Sequence, residues 1–228
     1  MHLFDRSHNF LGGHAIVGGY LPIAAGVGFA INYQGGDQVI LCFFGDGAVP
    51  QGEFHESLNL SSLWKLPVVW ICENNRYAMG TAIDRGLAST EIWKFGEPYG
   101  IPGEVVDGMD VLAVRESVAR AVARARAEKR PTLIEARTYR FRGHSMRDPS
   151  AAIYRTKEEV EREKQRDPIA LLRERLLAEE RMTDVEWKTI AEEVEQRVQE
   201  AVDFAESSPE PPAEWLLEDV YREPGKRG

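Results

Sequence analysis

The sequence holds 228 residues, 43% hydrophobic and 29% charged, which suits one globular α/β core with room for an appendage and excludes a largely disordered chain. A formal charge of −9 argues against a broad basic face for nucleic acid. No apolar run reaches the ~18 residues of a membrane span, the amino terminus lacks a basic-then-apolar leader, and Cys42 and Cys72 each sit singly in apolar runs, so a cytoplasmic protein with buried, reduced thiols is expected.

Leu3-Phe4-Asp5 and Asn9-Phe10-Leu11 lead directly into glycine-rich sequence, so the start at Met1 reads as a truncation. Gly12-Gly13-His14-Ala15-Ile16-Val17-Gly18-Gly19 is a glycine-dense loop, followed by a small-residue helix over 21–33. The loop lacks both the GxGxxG spacing and the preceding strand of a dinucleotide fingerprint, so by itself it is a tight turn before it is a phosphate cradle.

Residues 39–44 form an apolar run that suits a strand buried on both faces, which implies a parallel sheet. Gly45-Asp46-Gly47 stops it, and a helix is predicted over 52–65 with Phe54, Leu58 and Leu63 on one face, ended by Pro67. A second buried strand over 68–72 stops at Glu73-Asn74-Asn75. If the two strands are parallel neighbours, both loops lie at the carboxyl edge of the sheet, where open α/β sheets bind ligands, and Asp46 and Asn75 converge. Asp46 offers a hard oxygen to a divalent cation, Asn75 a neutral one, and Gly47 lets a main-chain N–H approach an anionic oxygen. The stretch 43–81 therefore reads as a site for a diphosphate and a metal ion. A solitary Gly-Asp-Gly is more often a turn, and it is the pairing with Asn75 that carries the reading.

Tyr77-Ala78-Met79-Gly80-Thr81 continues the second loop, and Trp93 and Tyr99 beyond it read as packing residues. A short strand is predicted over 101–107, a helix from Asp110 to Lys129 with Val111, Val114, Val118 and Val122 at helical spacing, and a strand over 131–137. Arg115, Arg120, Arg124 and Arg126 read as a solvated face. Residues 138–149, with Arg140, Arg142, His144 and Arg147, have the content of an anion-facing lid, although an exposed basic loop has the same composition. From Thr156 the pattern is helical, with capping-box spacing at Thr156 and Thr183, an Asp167-Pro168 helix start, and a stripe of Trp187, Ile190, Val194, Val198, Ala201 and Ala205. The expected organisation is an α/β domain over 1–155, a parallel sheet flanked by helices, and a helical extension over 156–228 that packs on the core or on a partner subunit.

With Gly-Asp-Gly, Glu-Asn-Asn, the Gly-Gly-His-Ala-Ile-Val-Gly loop and Tyr139-Arg140-Phe141-Arg142-Gly143-His144-Ser145 in one order, the chain resembles the α subunit of E1, the thiamin-diphosphate-dependent component of 2-oxo acid dehydrogenases. The resemblance extends over almost the whole chain, to the Pro-Glu-Pro-Pro at 209–212. It implies the thiamin-diphosphate-binding fold, with Mg²⁺ held by Asp46, the Asn75 side chain and the main-chain carbonyl of Tyr77, and phosphate oxygens held by the N–H groups of Gly47 and Ala48. The backbone at Ala15 and Val17 is implied to meet the aminopyrimidine, with the Val17 side chain bending the cofactor. Arg140 and His144 are implied to face the diphosphate and the substrate channel as catalytic and cofactor-binding residues. Ser145 matches the serine that a kinase modifies in mitochondrial relatives.

The implied activity is oxidative decarboxylation of pyruvate or a similar 2-oxo acid, with acyl transfer to the lipoyl domain of E2. The implied assembly is an α2β2 heterotetramer in which the E1 β subunit supplies the glutamate that polarises the pyrimidine. The family carries a segment before the position of Met1, with a diphosphate-binding Tyr-Arg pair, that is not in this sequence, and Ile153 departs from a second modifiable serine. Gly-Asp-Gly with Glu-Asn-Asn-Arg-Tyr-Ala-Met-Gly-Thr looks more like the pyruvate or acetoin branch than the branched-chain one. The alternatives are a truncated, non-catalytic subunit that binds β or E2, and a Mg²⁺-dependent phosphohydrolase or nucleotide-binding protein, which needs acidic or nucleophilic residues beyond Asp46 at the strand ends and finds no convincing one there.

Overall fold

A computed structural model describes residues 3–146 and 154–218. In chain order the elements are α1 (Leu21–Tyr33), β1 (Ile40–Gly45), α2 (Gly52–Leu63), β2 (Val68–Asn74), a two-strand hairpin β3 (Tyr77–Ala78) and β4 (Thr81–Ala82), α3 (Ile83–Gly86), β5 (Gly103–Asp107), α4 (Val111–Glu128), β6 (Thr132–Arg137), α5 (Lys157–Lys164), α6 (Pro168–Ala178) and α7 (Asp184–Ser207). Through Leu172 the chain forms one compact unit, and from Arg173 a second, so the division falls later than the expected junction at 155/156. The reason is that α5 is tied to the sheet side: the hydroxyls of Tyr77 and Tyr139 both donate to Glu159.

The main sheet is fully parallel in the order β1-β2-β6-β5, as the unbroken apolar runs require. Its register sets Gly45 beside Glu73, and Arg137 beside both Asn74 and Asp107. All four strands therefore end along one edge, and the loops after β1, β2 and β6 leave from neighbouring points.

Alternation along β2 builds the core on both faces. Val68, Trp70 and Cys72 join Leu21, Ala24 and Ala25 of α1 and Phe54 and Leu58 of α2 in one cluster. Val69 and Ile71 join Ile134 and Ala121, flanked by Val118 and Val122 of α4, in the other. Each fully buried Leu, Ile or Phe contributes on the order of 1.5–3 kcal/mol. Trp70 keeps its indole N–H satisfied by the Ser61 hydroxyl at 3.2 Å. Glycine is needed in α1 where the helix crosses the start of β2: a Cβ on Gly28 would stand 2.8 Å from Val68 Cγ2.

Two helix faces differ from their prediction. In α2 the buried line is Phe54, Ser57, Leu58 and Ser61, while Leu63 is 67% exposed. Nine residues beyond Phe54 is half a turn out of phase, so Leu63 points the other way. In α4 the buried centre is Ser117, Ala121 and Ala125, with Val118 and Val122 at its side and Val111 exposed. The caps form at the predicted residues, but Thr156 closes only half of its box, because the Glu159 carboxylate accepts from Tyr77 and Tyr139 instead. Asp110 accepts from the N–H groups of Leu112 and Ala113, Thr156 from Glu159, Asp167 from Ile169, and Thr183 and Glu186 close a reciprocal capping box. Three of the four arginines of α4 are not merely solvated: Arg120 pairs with Glu104, Arg124 donates to Thr132 and Arg126 to the Asp37 carbonyl.

In the second unit α7 shows its apolar stripe to solvent, with Ile190, Val194 and Val198 about half exposed. Arg173 pairs with Asp184 at 2.8 Å and stacks over the Trp187 ring. Among the described residues no helix is long and apolar enough to cross a membrane.

Candidate cofactor and metal site

β1 ends at Gly45 and the chain makes a single 3-10 turn over Asp46–Ala48. Asp46 is buried, 3% exposed, so its carboxylate sits where charge is poorly solvated. Burial pushes its pKa up, against the main-chain N–H groups of Asp46 and Asn75 and the Arg140 charge, which favour the ionised form. The carboxylate and the Asn75 N–H thus meet across the edge from β1 to β2, as the parallel pairing predicts.

β2 leaves the sheet through two successive side-chain turns. Asn74 Oδ1 accepts from the Arg76 N–H and Asn75 Oδ1 from the Tyr77 N–H, both at 3.1 Å. Arg76 and Met79 take left-handed backbone conformations, φ +70° and +55°, and between them Tyr77–Ala78 pairs with Thr81–Ala82. This hairpin lies against the 3-10 turn: a Cβ on Gly47 would stand 2.7 Å from the Ala78 Cβ. Close approach of the two loops is therefore the reason for a glycine after Asp46.

β6 supplies the third wall. Arg140 Nη1 donates to the Tyr77 carbonyl at 3.3 Å, while Nη2 donates to the Met79 carbonyl at 2.8 Å and to the Tyr154 hydroxyl at 3.0 Å. Arg155, 4% exposed, donates to the carbonyls of Arg140 and Arg142, and its guanidinium lies 5.1–5.4 Å from the ring centres of Tyr77, Tyr139 and Tyr154. Burial and the adjacent Glu159 carboxylate raise the Tyr77 pKa, and burial with the hydrogen bond to Glu159 carries that of Tyr139 to about 12. Both phenols therefore stay protonated as donors at neutral pH.

Of the residues singled out from the sequence, Asp46, Gly47, Ala48, Asn75, Tyr77 and Arg140 gather at this corner of the sheet. Ala15 and Val17 stand on the exposed arm of the glycine loop, Val17 56% exposed. The loop is fixed near α2 through Gly18, φ +82°, where a Cβ would stand 3.3 Å from Gln51 Cγ. His144 and Ser145 are exposed. Arg147, Asp148, Pro149 and Ile153 lie outside the described residues. A cavity of about 610 Å³ along β1, between Phe10, Tyr20, Ile23 and Phe43, is lined mainly by apolar side chains and by no carboxylate. The chemistry lies at the strand ends instead.

Among the described residues no three His, Cys, Asp or Glu side chains form a metal cluster. One carboxylate, one amide oxygen and one main-chain carbonyl are a different donor set, all hard oxygens, and suit a Mg²⁺ that completes its shell with phosphate and water. A buried carboxylate whose ionised form is disfavoured by burial is the feature such a cation would offset.

Four residues of this corner escaped the sequence reading: Asn74, Glu135, Arg155 and Glu159. Glu135 had a signal, being a lone carboxylate inside an otherwise apolar strand; it is fully buried and accepts from Asn74, Arg137 and Trp93.

Comparison with known proteins gives a consistent result. The model of the family described as dehydrogenase E1 component matches residues 1–214. The chain is 47% identical over 221 residues to the pyruvate dehydrogenase E1 component subunit alpha of Rhizobium meliloti (strain 1021), covering 96% of this chain and 63% of that protein. It is 44% identical to the Rickettsia felis protein of the same name, over 97% of this chain and 67% of that one. To the somatic, mitochondrial form of Sus scrofa it is 46% identical, over 97% and 56%. The chain thus spans roughly three fifths of the length of the relatives it matches. Coverage from residue 1 to 214 and identities of 44–47% establish that the chain belongs to the dehydrogenase E1 component family.

Proposed function

We propose that the chain is the α part of a thiamin-diphosphate-dependent 2-oxo acid dehydrogenase E1, acting on pyruvate. The observation that carries this is the meeting of buried Asp46, Asn75, the Tyr77 carbonyl and the close-packed Gly47 at one corner of a parallel sheet. Bound thiamin diphosphate supplies the carbon nucleophile that decarboxylates a 2-oxo acid and passes the acyl group to a lipoyl arm.

The chain's own residues hold and orient. Asp46, the Asn75 side-chain oxygen and the Tyr77 carbonyl are the Mg²⁺ ligands in this reading, and the N–H groups of Gly47 and Ala48 receive phosphate oxygens. Ala15 and Val17 present their backbone to the aminopyrimidine. Arg140 and His144 face the diphosphate and the substrate, and residues 138–146 shield the site from water. Arg140 is already drawn towards the site by the Tyr77 and Met79 carbonyls. An E1 β subunit completes an α2β2 heterotetramer with the pyrimidine-polarising glutamate, and the E2 lipoyl domain receives the product. The exposed stripe on α7 suits a covering surface on a partner. Two buried, unpaired cysteines agree with a reducing cytoplasm.

The test is coexpression with an E1 β subunit and an assay of pyruvate decarboxylation with Mg²⁺ and thiamin diphosphate, alongside calorimetry of Asp46→Ala. Turnover in the assembled wild type and loss of Mg²⁺-dependent cofactor binding in the variant are expected. A well-assembled tetramer without turnover favours a non-catalytic subunit, and tighter binding of ATP than of thiamin diphosphate favours a nucleotide site. Unchanged affinity in the variant moves the metal elsewhere.

A further inference from the structure

We propose that Glu135 is a positioning residue that sets the metal-binding turn through Asn74; the inference rests on the site reading above. Glu135 lies in β6, fully buried, opposite Cys72 of β2. Its carboxylate is anchored independently of the turn: Oε1 accepts from Arg137 Nε at 2.9 Å and Oε2 from the Trp93 N–H at 3.1 Å. Oε1 also accepts from Asn74 Nδ2 at 2.8 Å.

A carboxylate can only accept here, so it selects the orientation of the Asn74 amide. With Nδ2 committed to Glu135, Oδ1 faces the Arg76 N–H and holds it at 3.1 Å. That bond closes the turn in which Arg76 takes φ +70°, and the same turn carries Asn75 and Tyr77, whose oxygens are the candidate ligands. The Asn74 carbonyl is held from β6 as well, by the Thr138 N–H at 2.9 Å. β6 therefore grips Asn74 by side chain and main chain. Outer groups of this kind orient ligands without touching the metal, and losing one typically weakens metal binding by about 10–100-fold.

The experiment uses the chain assembled with an E1 β subunit and reads Mn²⁺ by electron paramagnetic resonance in the presence of thiamin diphosphate, with metal-free thermal melting as the folding control. Asn74→Ala leaves Glu135 its two other donors and is expected to fold, while weakening Mn²⁺ binding about tenfold or more. Glu135→Gln keeps one oxygen for Asn74 and Arg137 and is expected to stay within about threefold of wild type, whereas Glu135→Leu removes the acceptor and is expected to weaken Mn²⁺ binding as Asn74→Ala does.

Wild-type Mn²⁺ affinity in a folded Asn74→Ala protein overturns the proposal, whatever the fate of Glu135→Gln. A folded Glu135→Leu protein with wild-type Mn²⁺ affinity also overturns it, in favour of a packing role. A wild-type assembly that takes up neither Mn²⁺ nor thiamin diphosphate removes the metal site itself, and the inference with it; this outcome is distinct from a wild type that binds and variants that bind equally.

Discussion

Gly47 and Ala78 approach so closely that no side chain fits between them: a Cβ on Gly47 would meet the Ala78 Cβ at 2.7 Å. Ala78 cannot retreat freely, because the hairpin pairs it with Thr81. Gly47→Ala is expected to cost about 1–3 kcal/mol through overpacking, read by urea denaturation. It also moves the Asp46 turn away from Asn75, so Mg²⁺-dependent cofactor binding falls with it in calorimetry. Gly52→Ala is the control: its Cβ would meet only the end of the Glu56 side chain, at 3.8 Å, and a change within about 0.5 kcal/mol is expected.

Arg155→Ala tests how the segment after β6 is held. The substitution strips donors from the carbonyls of Arg140 and Arg142 and empties the space among three tyrosine rings. An uncompensated carbonyl costs about 1–3 kcal/mol when it stays buried, so the segment is expected to open locally instead. Limited trypsin digestion reads this as faster cleavage after Arg140 and Arg142, identified by fragment mass. Arg155→Lys, which keeps a charge but loses the planar fork, falls between. An unchanged cleavage pattern in both variants would show that the segment is fixed by other contacts.

The two cysteines are expected to be inert in the native chain. Burial raises the Cys42 pKa to about 12, and burial followed by the charges of Asp46, Glu135 and Glu73 holds that of Cys72 well above the ordinary thiol range. At pH 8 neither holds an appreciable thiolate fraction. A chromogenic disulfide reagent should find no fast-reacting thiol in the folded protein and two after denaturation in guanidinium.

The cap of α7 carries a pH dependence. The Thr183 N–H, then the Thr183 hydroxyl, lower the pKa of Glu186. The native state therefore favours the carboxylate, and the contribution to stability is present above the ordinary glutamate range and is lost as pH falls through the lowered native value. Glu186→Gln removes this contribution at neutral pH. Hydrogen exchange in the first turn of α7 is expected to be faster in the variant at pH 7, and the difference to close as both are acidified; a difference independent of pH would place the bond to Glu186 outside the titration.

The amino-acid sequence by itself determined the parallel strands, the two polar strand ends and the helix caps. These rest on local rules: apolar runs seek burial, Gly and Asp interrupt them, and Asp110, Thr156 and Thr183 satisfy N–H groups two or three residues away. Asp46 and Asn75 could be paired because parallel neighbours end at one edge. Helix faces were legible only to within their phase, as Leu63 shows. Tertiary structure decided what no local rule reaches. Asn74 finds its partner in Glu135 and Tyr77 in Arg140, each on another strand or the loop beyond it, and Arg155 finds three rings from separate segments. A hydrogen bond between distant residues depends on register and on the depth at which each strand stops, and composition encodes neither. The proposed ligand oxygens are thus named by sequence, while the groups that aim them are chosen by the packing of β6 against β2.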